Sequence, residues 1–248
     1  MVESFMTSSR SRNRSCLTVS LALVCLFATV VRAEVPLRAF TASYTLEKGS
    51  LSVATAELSL DQQGENWRWR LLTRARGIYA MFTRKRPFAE TMFRQSDEAV
   101  QLQSILISEG PDDSQPELAR FDWPNGEMRV QRRGKQRVRQ LPGSVHDYQS
   151  IHLVAADMQL RQQTERDLHF YRKGKIIDTK LTFLGEESIE LDGETRQTRL
   201  FQQSFSRTDT VIRYHYSIDN PLLPLLIRRL EEDESPSVLT LTSVEWRS

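Results

Sequence analysis

The feature that most restricts this chain is a short stretch written in strict alternation. Trp67, Trp69 and Leu71 fall on one side of an extended backbone; Arg68, Arg70, Arg74 and Arg76, with Leu72 among them, fall on the other. Successive side chains leave opposite faces of a β-strand, whereas a helix would scatter those arginines around its circumference. The stretch therefore reads as a strand. Gly77 ends it, Ile78-Tyr79-Ala80-Met81-Phe82 follows as a short apolar segment, and a second strand is expected over 88–94, after Pro87.

The same grammar runs along the chain. Phe40, Ala42, Tyr44 and Leu46 share a face before a Lys48-Gly49 turn, and Ala54, Ala56, Leu58 and Leu60 make the next. Further strands are expected over 100–107 and at Ala119, Phe121 and Trp123, which alternate before Pro124-Asn125-Gly126. Met128 and Val130 lead into Arg132-Arg133-Gly134-Lys135, a hairpin tip. Strands and turns at this spacing describe an antiparallel meander.

The period then changes. Pro142-Gly143 stops the strands, Ser144 and Asp147 fit a capping box, and Tyr148, Ile151, Val154, Ala155 and Met158 recur at helical spacing. A helix over 145–161, laid across the apolar face of the sheet, is expected. Strands resume over 167–171, 175–184, 187–191, 194–205, 210–216 and 238–246, with Lys173-Gly174 and Asp192-Gly193 as turns. The apolar segment 222–230, opened by Asn220-Pro221, reads as a short helix, with a lid or membrane-facing plug as the alternative. The expected fold is mainly β: a curved antiparallel sheet or partly open β-barrel, with one central amphipathic helix and a short C-terminal helix.

The front of the chain reads as an address. Arg10, Arg12 and Arg14 precede an apolar run over 17–31, and Val31-Arg32-Ala33 supplies small residues for cleavage before Glu34. Residues 1–33 are expected to be a signal peptide and 34–248 a single β-rich periplasmic domain. A retained anchor is the alternative, although the run is shorter than the roughly 20 apolar residues a spanning helix needs. Lipidation at Cys25 is disfavoured by Val24, where a small residue is wanted. Cleavage removes four arginines (10, 12, 14 and 32) and Glu3, which turns 34 basic against 32 acidic residues into 30 against 31. The mature charge gives no case for nucleic acid. Cys16 and Cys25 leave as well, so no disulfide is available and the core alone must hold the domain.

The run Ala75-Arg76-Gly77-Ile78-Tyr79-Ala80-Met81-Phe82, followed by Phe88 and Glu90, resembles an uncharacterised family of exported proteins from Gram-negative bacteria, domain of unknown function 3108. Phe121-Asp122-Trp123, the central helix and the closing strand fit the same resemblance. It implies a periplasmic, mostly antiparallel β protein and carries no agreed activity, so no catalytic residue transfers.

Candidate binding residues follow from the pattern. Alternate residues on a strand sit about 6.7 Å apart, so neighbours among Arg68, Arg70, Arg74 and Arg76 suit successive anionic groups of a lipid headgroup or glycan phosphate. The competing reading is a solvated face on which they pair with Glu57 and Glu90. Trp67, Trp69, Tyr79, Phe82 and Trp123, with Tyr44, Phe88 and Phe121, either line a cavity in a curved sheet or simply form its core. Arg132, Arg133, Lys135 and Arg137, flanked by Arg129 and Arg139, make a basic surface for a partner or an anionic membrane, or else an edge that discourages aggregation.

Enzyme signatures are weak. Asp147, Ser150 and His152 have the residue types of a triad but crowd into six positions, whereas a triad is assembled from separate segments. His146 and His152 do not share a helical face, and no Gly-rich phosphate loop follows a strand. The expectation is a non-enzymatic, cofactor-free binder of an amphiphilic or anionic envelope component, with an envelope adaptor as the alternative and a hydrolase a distant third.

Overall fold

The computed structural model describes residues 35–82, 85–96, 100–110, 112–232 and 234–247. The expected signal peptide, 1–33, lies outside the described residues. The chain enters as β1 (Phe40–Lys48), β2 (Leu51–Gln63) and β3 (Asn66–Ala75), then passes through a four-residue helix, α1 (Tyr79–Phe82). It continues as β4 (Phe88–Gln95), β5 (Val100–Ser108), β6 (Glu117–Asp122), β7 (Glu127–Arg132) and β8 (Lys135–Gln140). β9 (Val145–His146), α2 (Ile151–Leu160) and β10 (Glu165–Arg172) form a crossover unit. β11 (Lys175–Leu191), β12 (Glu194–Phe205), β13 (Thr208–Ser217), β14 (Pro224–Leu230) and β15 (Ser237–Trp246) follow.

These strands make one 15-stranded sheet in the order β8-β7-β6-β5-β4-β3-β2-β1-β15-β14-β13-β12-β11-β10-β9. The order forces a curl. β8 and β9 are consecutive in the chain yet occupy opposite edges, joined only by residues 141–144. A flat sheet of this size would be about 67 Å wide at ~4.8 Å per strand. The five Cα steps from Gln140 to Val145 reach at most about 18 Å. The two edges are therefore brought together, and β9 lies against β5 while pairing in parallel with β10. The result is barrel-like, with a seam of side chains where a closing ladder would be.

α2 fills the interior. Its first six residues are all buried, because it lies between two apolar clusters. Leu153 and Ala156 belong to the cluster of Phe40, Leu58, Leu60, Trp69, Phe93 and Met128. Ile151, Val154, Ala155 and Met158 belong to that of Leu168, Phe170, Phe201, Tyr214 and Tyr216. A helix with apolar neighbours on every side needs no polar face until it emerges, here at Asp157. Its start is fixed by Asp147 and Ser150: the Asp147 N–H donates to Ser150 Oγ and the Ser150 N–H to Asp147 Oδ1, each at 2.8 Å.

Three sequence expectations are corrected. The expected short C-terminal helix is the strand β14, which pairs with β13 on one side and β15 on the other. A short apolar run fits either element, and two open ladders together with Pro224 at the first strand position decide for β. The central helix starts at Ile151, not 145, because Val145 and His146 pair with His169 and Phe170 of β10. The strands expected at 175–184 and 187–191 are one, β11, with a bulge between Phe183 and Gly185; Gly185 has φ +126°, a value open to glycine.

Candidate functional site

In a meander, alternate connections fall at the same end of the sheet. The β3–β4, β5–β6, β7–β8 and β10–β11 connections thus gather at one end, together with the C-terminal end of β14. The β7–β8 and β10–β11 hairpins turn tightly: Arg133 and Gly134 have φ 51° and 70°, Lys173 and Gly174 φ 49° and 74°. Positive φ at both central residues follows the twist of the flanking strands and aims the tips over this end. The tips meet across the seam, where a Cβ on Gly174 would lie 3.3 Å from Arg132 Cδ.

A cavity of about 780 Å³ opens between them. Leu71, Ala89, Ile105, Ile107, Tyr148 and Tyr171 supply its apolar wall; Arg132, Arg133, Arg172, Lys173 and Arg229 stand around it with Glu109, Asp113 and Glu117. Ile107 and Tyr148 remain 39% and 37% exposed, apolar surface that the fold leaves uncovered.

The floor is polar and buried. Thr91 Oγ1 donates to Asp147 Oδ2 and lies 3.3 Å from Gln149 Oε1. Burial raises the Asp147 pKa above the ordinary carboxylate value, opposed by the Thr91 and Ser150 hydrogen bonds. Gln149 lines the cavity, yet its buried Nε2 has no partner.

The cations at the mouth divide into occupied and available. Arg132 is ion-paired with Glu117, whose Oε1 also accepts from the Tyr171 hydroxyl at 2.7 Å. This three-residue clasp joins β6 and β7 to β10. Arg229 donates to Glu231 through Nε at 3.1 Å, and Arg172 lies over the Phe205 ring at 5.3 Å. Arg133 and Lys173 have no carboxylate partner among the described residues.

The residues singled out from sequence are placed differently from one another. Trp69 is fully buried core, edge-on to Phe40 at 5.3 Å and 5.9 Å from the His152 ring; it lines none of the clefts described here, and Trp67 is packed on the same cluster. The arginine comb points the other way. Arg68 pairs with Asp61 at 2.9 Å and lies 4.0 Å from Glu90, while Arg70 covers the Phe88 ring at 5.4 Å. Both border a cleft of about 180 Å³ with Glu57 on the outer face. Arg74 and Arg76 are exposed beside α1, as is Tyr79; the side chain of Phe82 lies outside the described residues. Trp123 stacks on Phe121, donates to the Leu102 carbonyl at 2.7 Å, and borders a polar cleft of about 600 Å³ at the opposite end. The comb and the indoles are therefore not brought together: the sheet separates them.

The basic hairpin is split as well. Arg132 belongs to the seam, whereas Arg133, Lys135 and Arg137 are exposed. β8 is an edge strand whose Val138 is also open to solvent, beside the exposed Lys135 and Arg137. Sequence reading missed Tyr171, Arg172, Lys173 and Gln149. The Lys173-Gly174 turn was visible, but nothing local places it beside residue 132. Asp147, Ser150 and His152 form no relay: the first two cap α2, and His152 Nδ1 shares a 2.8 Å hydrogen bond with the Tyr216 hydroxyl. Among the described residues, no helix is long and apolar enough to cross a membrane and no cluster is arranged to hold a metal ion.

Comparison with known proteins adds the family and the fold. The model of the family described as "Protein of unknown function (DUF3108)" matches residues 39–241. No curated protein matches the chain. Among solved structures it is similar to a beta-barrel-like protein of domain of unknown function DUF1849 from Brucella abortus. The TM-score is 0.58 at 9% identity, over 86% of this chain and 100% of that one. At that identity the likeness concerns the fold alone.

Proposed function

We propose, from the premise that this chain belongs to the DUF3108 family of proteins of unknown function, that it is a periplasmic, non-enzymatic carrier or sensor of an anionic amphiphile of the envelope. The observation that carries this reading is the cavity of about 780 Å³, within the roughly 300–1,000 Å³ of ligand sites. Its chemistry is divided as an amphiphile is divided. The aliphatic part packs along Leu71, Ile105, Ile107 and Tyr148. The charged head stays at the mouth with Arg133 and Lys173, whose cations have no carboxylate partner among the described residues. This differs from the comb-centred site expected from sequence, because the comb lies on the outer face.

Native mass spectrometry of the purified protein, with solvent extraction, is expected to reveal a co-purifying lipid or to show uptake of dodecyl phosphate. Arg133→Glu with Lys173→Glu should weaken dodecyl phosphate binding at least tenfold, each lost charged contact being worth roughly 1.5 kcal/mol or more. The urea midpoint should be unchanged, since both side chains are exposed. A protein that purifies empty and takes up no dodecyl phosphate refutes the proposal.

The exposed edge β8 favours a second reading, an envelope adaptor that docks through this strand. In that case Lys135→Glu with Arg137→Glu abolishes partner recovery from envelope extracts and leaves dodecyl phosphate binding intact.

A further inference from the structure

The β3–β4 connection carries a feature the cavity does not use. Ile78, Tyr79 and Met81 are 63%, 39% and 82% exposed, three large apolar side chains within four positions. The other large apolar residues left exposed on the outer surface, such as Leu51, Val138 and Leu184, are far apart in the chain. Scattered exposure is ordinary, but a contiguous apolar tip marks an interaction site. The tip is an ordered turn: Gly77 takes φ +57°, the Ala80 N–H donates to the Gly77 carbonyl at 3.2 Å, and the Met81 N–H to the Ile78 carbonyl at 3.1 Å.

Charge around the tip says what covers it. Arg74, Arg76 and Arg86 are exposed on its flanks. Arg74 faces Thr55 across the ladder with β2, and the Arg76 N–H is bonded to the Val53 carbonyl, so no carboxylate stands directly opposite either. At this end of the sheet Glu109 pairs with Lys85, and Asp113 accepts the N–H groups of Glu109 and Gln115; Glu57, diagonal to Arg74 on β2, stands opposite Leu72. A convex apolar tip ringed by cations is complementary to the boundary between anionic headgroups and acyl chains.

We infer that this tip docks the protein on an anionic bilayer, Ile78, Tyr79 and Met81 entering the headgroup–acyl boundary while Arg74, Arg76 and Arg86 engage lipid phosphates. Pro87, the first residue after Arg86, lines the cavity, so the tip and the cavity mouth share one end of the sheet. Docking presents that mouth to the membrane. The inference stands on the tip itself; only this purpose rests on the carrier reading.

Flotation of the purified protein with vesicles tests it, using phosphatidylcholine alone and phosphatidylcholine containing phosphatidylglycerol. The protein should float with the anionic vesicles, far less with the neutral ones, and be released by high salt. Ile78→Asp with Met81→Asp should reduce binding at least tenfold, because buried apolar area is lost. Arg74→Gln with Arg76→Gln should reduce it about fivefold per charge removed. Both variants should keep the parent's urea midpoint and its dodecyl phosphate uptake, which separates failure of docking from failure of the carrier reading. Binding by the Asp variant equal to the parent overturns the inference. So does a parent that floats with neither vesicle, the outcome expected if the tip serves a protein partner.

Discussion

Between pH 7 and about pH 4.5 the protein is expected to lose about 5 kcal/mol of folding stability, a third or more of the roughly 5–15 kcal/mol a native domain commonly has. Two buried histidines, His146 and His152, carry most of it; burial also lowers the pKa of a third, His215, which adds in the same direction. Burial lowers the pKa of His146 to about 4, assisted by the positive charge of Arg166 and by His169. Burial lowers that of His152 to about 3, among the rings of Trp69, Tyr214 and Tyr216. In the unfolded chain both titrate near 6.5. Above that value neither state is protonated and the stability is fully present. Below it the unfolded chain takes up protons that the folded chain refuses, and stability falls until pH reaches the folded values. Each of the two contributes about 2.5 kcal/mol over this window. Asp147 acts in the opposite sense, since its raised pKa lets the folded state gain a proton as pH falls. The check is the urea midpoint across the interval, with the slope against denaturant held constant. His146→Phe should remove about half of the part that His146 and His152 contribute. A midpoint that stays level from pH 6.5 to 4.5 overturns the assignment.

How much of this was legible beforehand depends on the range of the interaction. The alternation at 67–76 and the Arg133-Gly134, Lys173-Gly174 and Asp192-Gly193 turns are local statements, and the strands and hairpins appear where the residues put them. So does the body of α2, whose apolar residues recur over 151–158 whatever surrounds them. The segment 222–230 was misread because its apolar residues suit a helix as well as a strand. Only the ladders offered by β13 and β15 decide, and those lie outside the segment. At 184–187, Gly185 looked like the end of a strand and is a bulge within one.

The site was less legible for the same reason. Opposite faces for Trp69 and Arg70 follow from a period of two, and the apolar face is the one expected to be concave; where the cavity opens does not follow. Once the sheet curls around α2, the indole is sealed inward and the guanidinium is turned outward, away from the cavity. The mouth is built from residues 132–133 and 172–173, about forty positions apart, and is assembled only by the curl. Gln149 could have drawn notice as an amide among residues destined for the core, but its unpaired Nε2 exists only in the folded arrangement.

Replacing Glu117 by alanine is expected to lower stability by about 2–3 kcal/mol and to open the cavity along one side. Its carboxylate is the centre of the clasp: one oxygen holds Arg132, the other accepts from the Tyr171 hydroxyl, and its side chain is only 11% exposed. Removing it leaves a guanidinium and a phenol that were desolvated for its sake, and loss of one partner of a buried pair costs more than the pair contributes. Arg132 is still one-third exposed, so water recovers part of that penalty and the figure stays below the roughly 3–5 kcal/mol of a fully buried pair. Tyr171→Phe keeps the ring against Phe121 and removes only the hydroxyl, which should cost about 1 kcal/mol. Arg132→Met with Glu117→Gln should be milder than the sum of the two single changes, the mark of direct coupling. Urea midpoints supply these values. Amide exchange supplies the location: β6, β7 and the β10–β11 hairpin should exchange faster in Glu117→Ala, while α2, held by both apolar clusters, should not. Uniform acceleration that includes α2 would mean the clasp only adds to global stability. An unchanged midpoint would mean that the interior helix alone keeps the sheet curled.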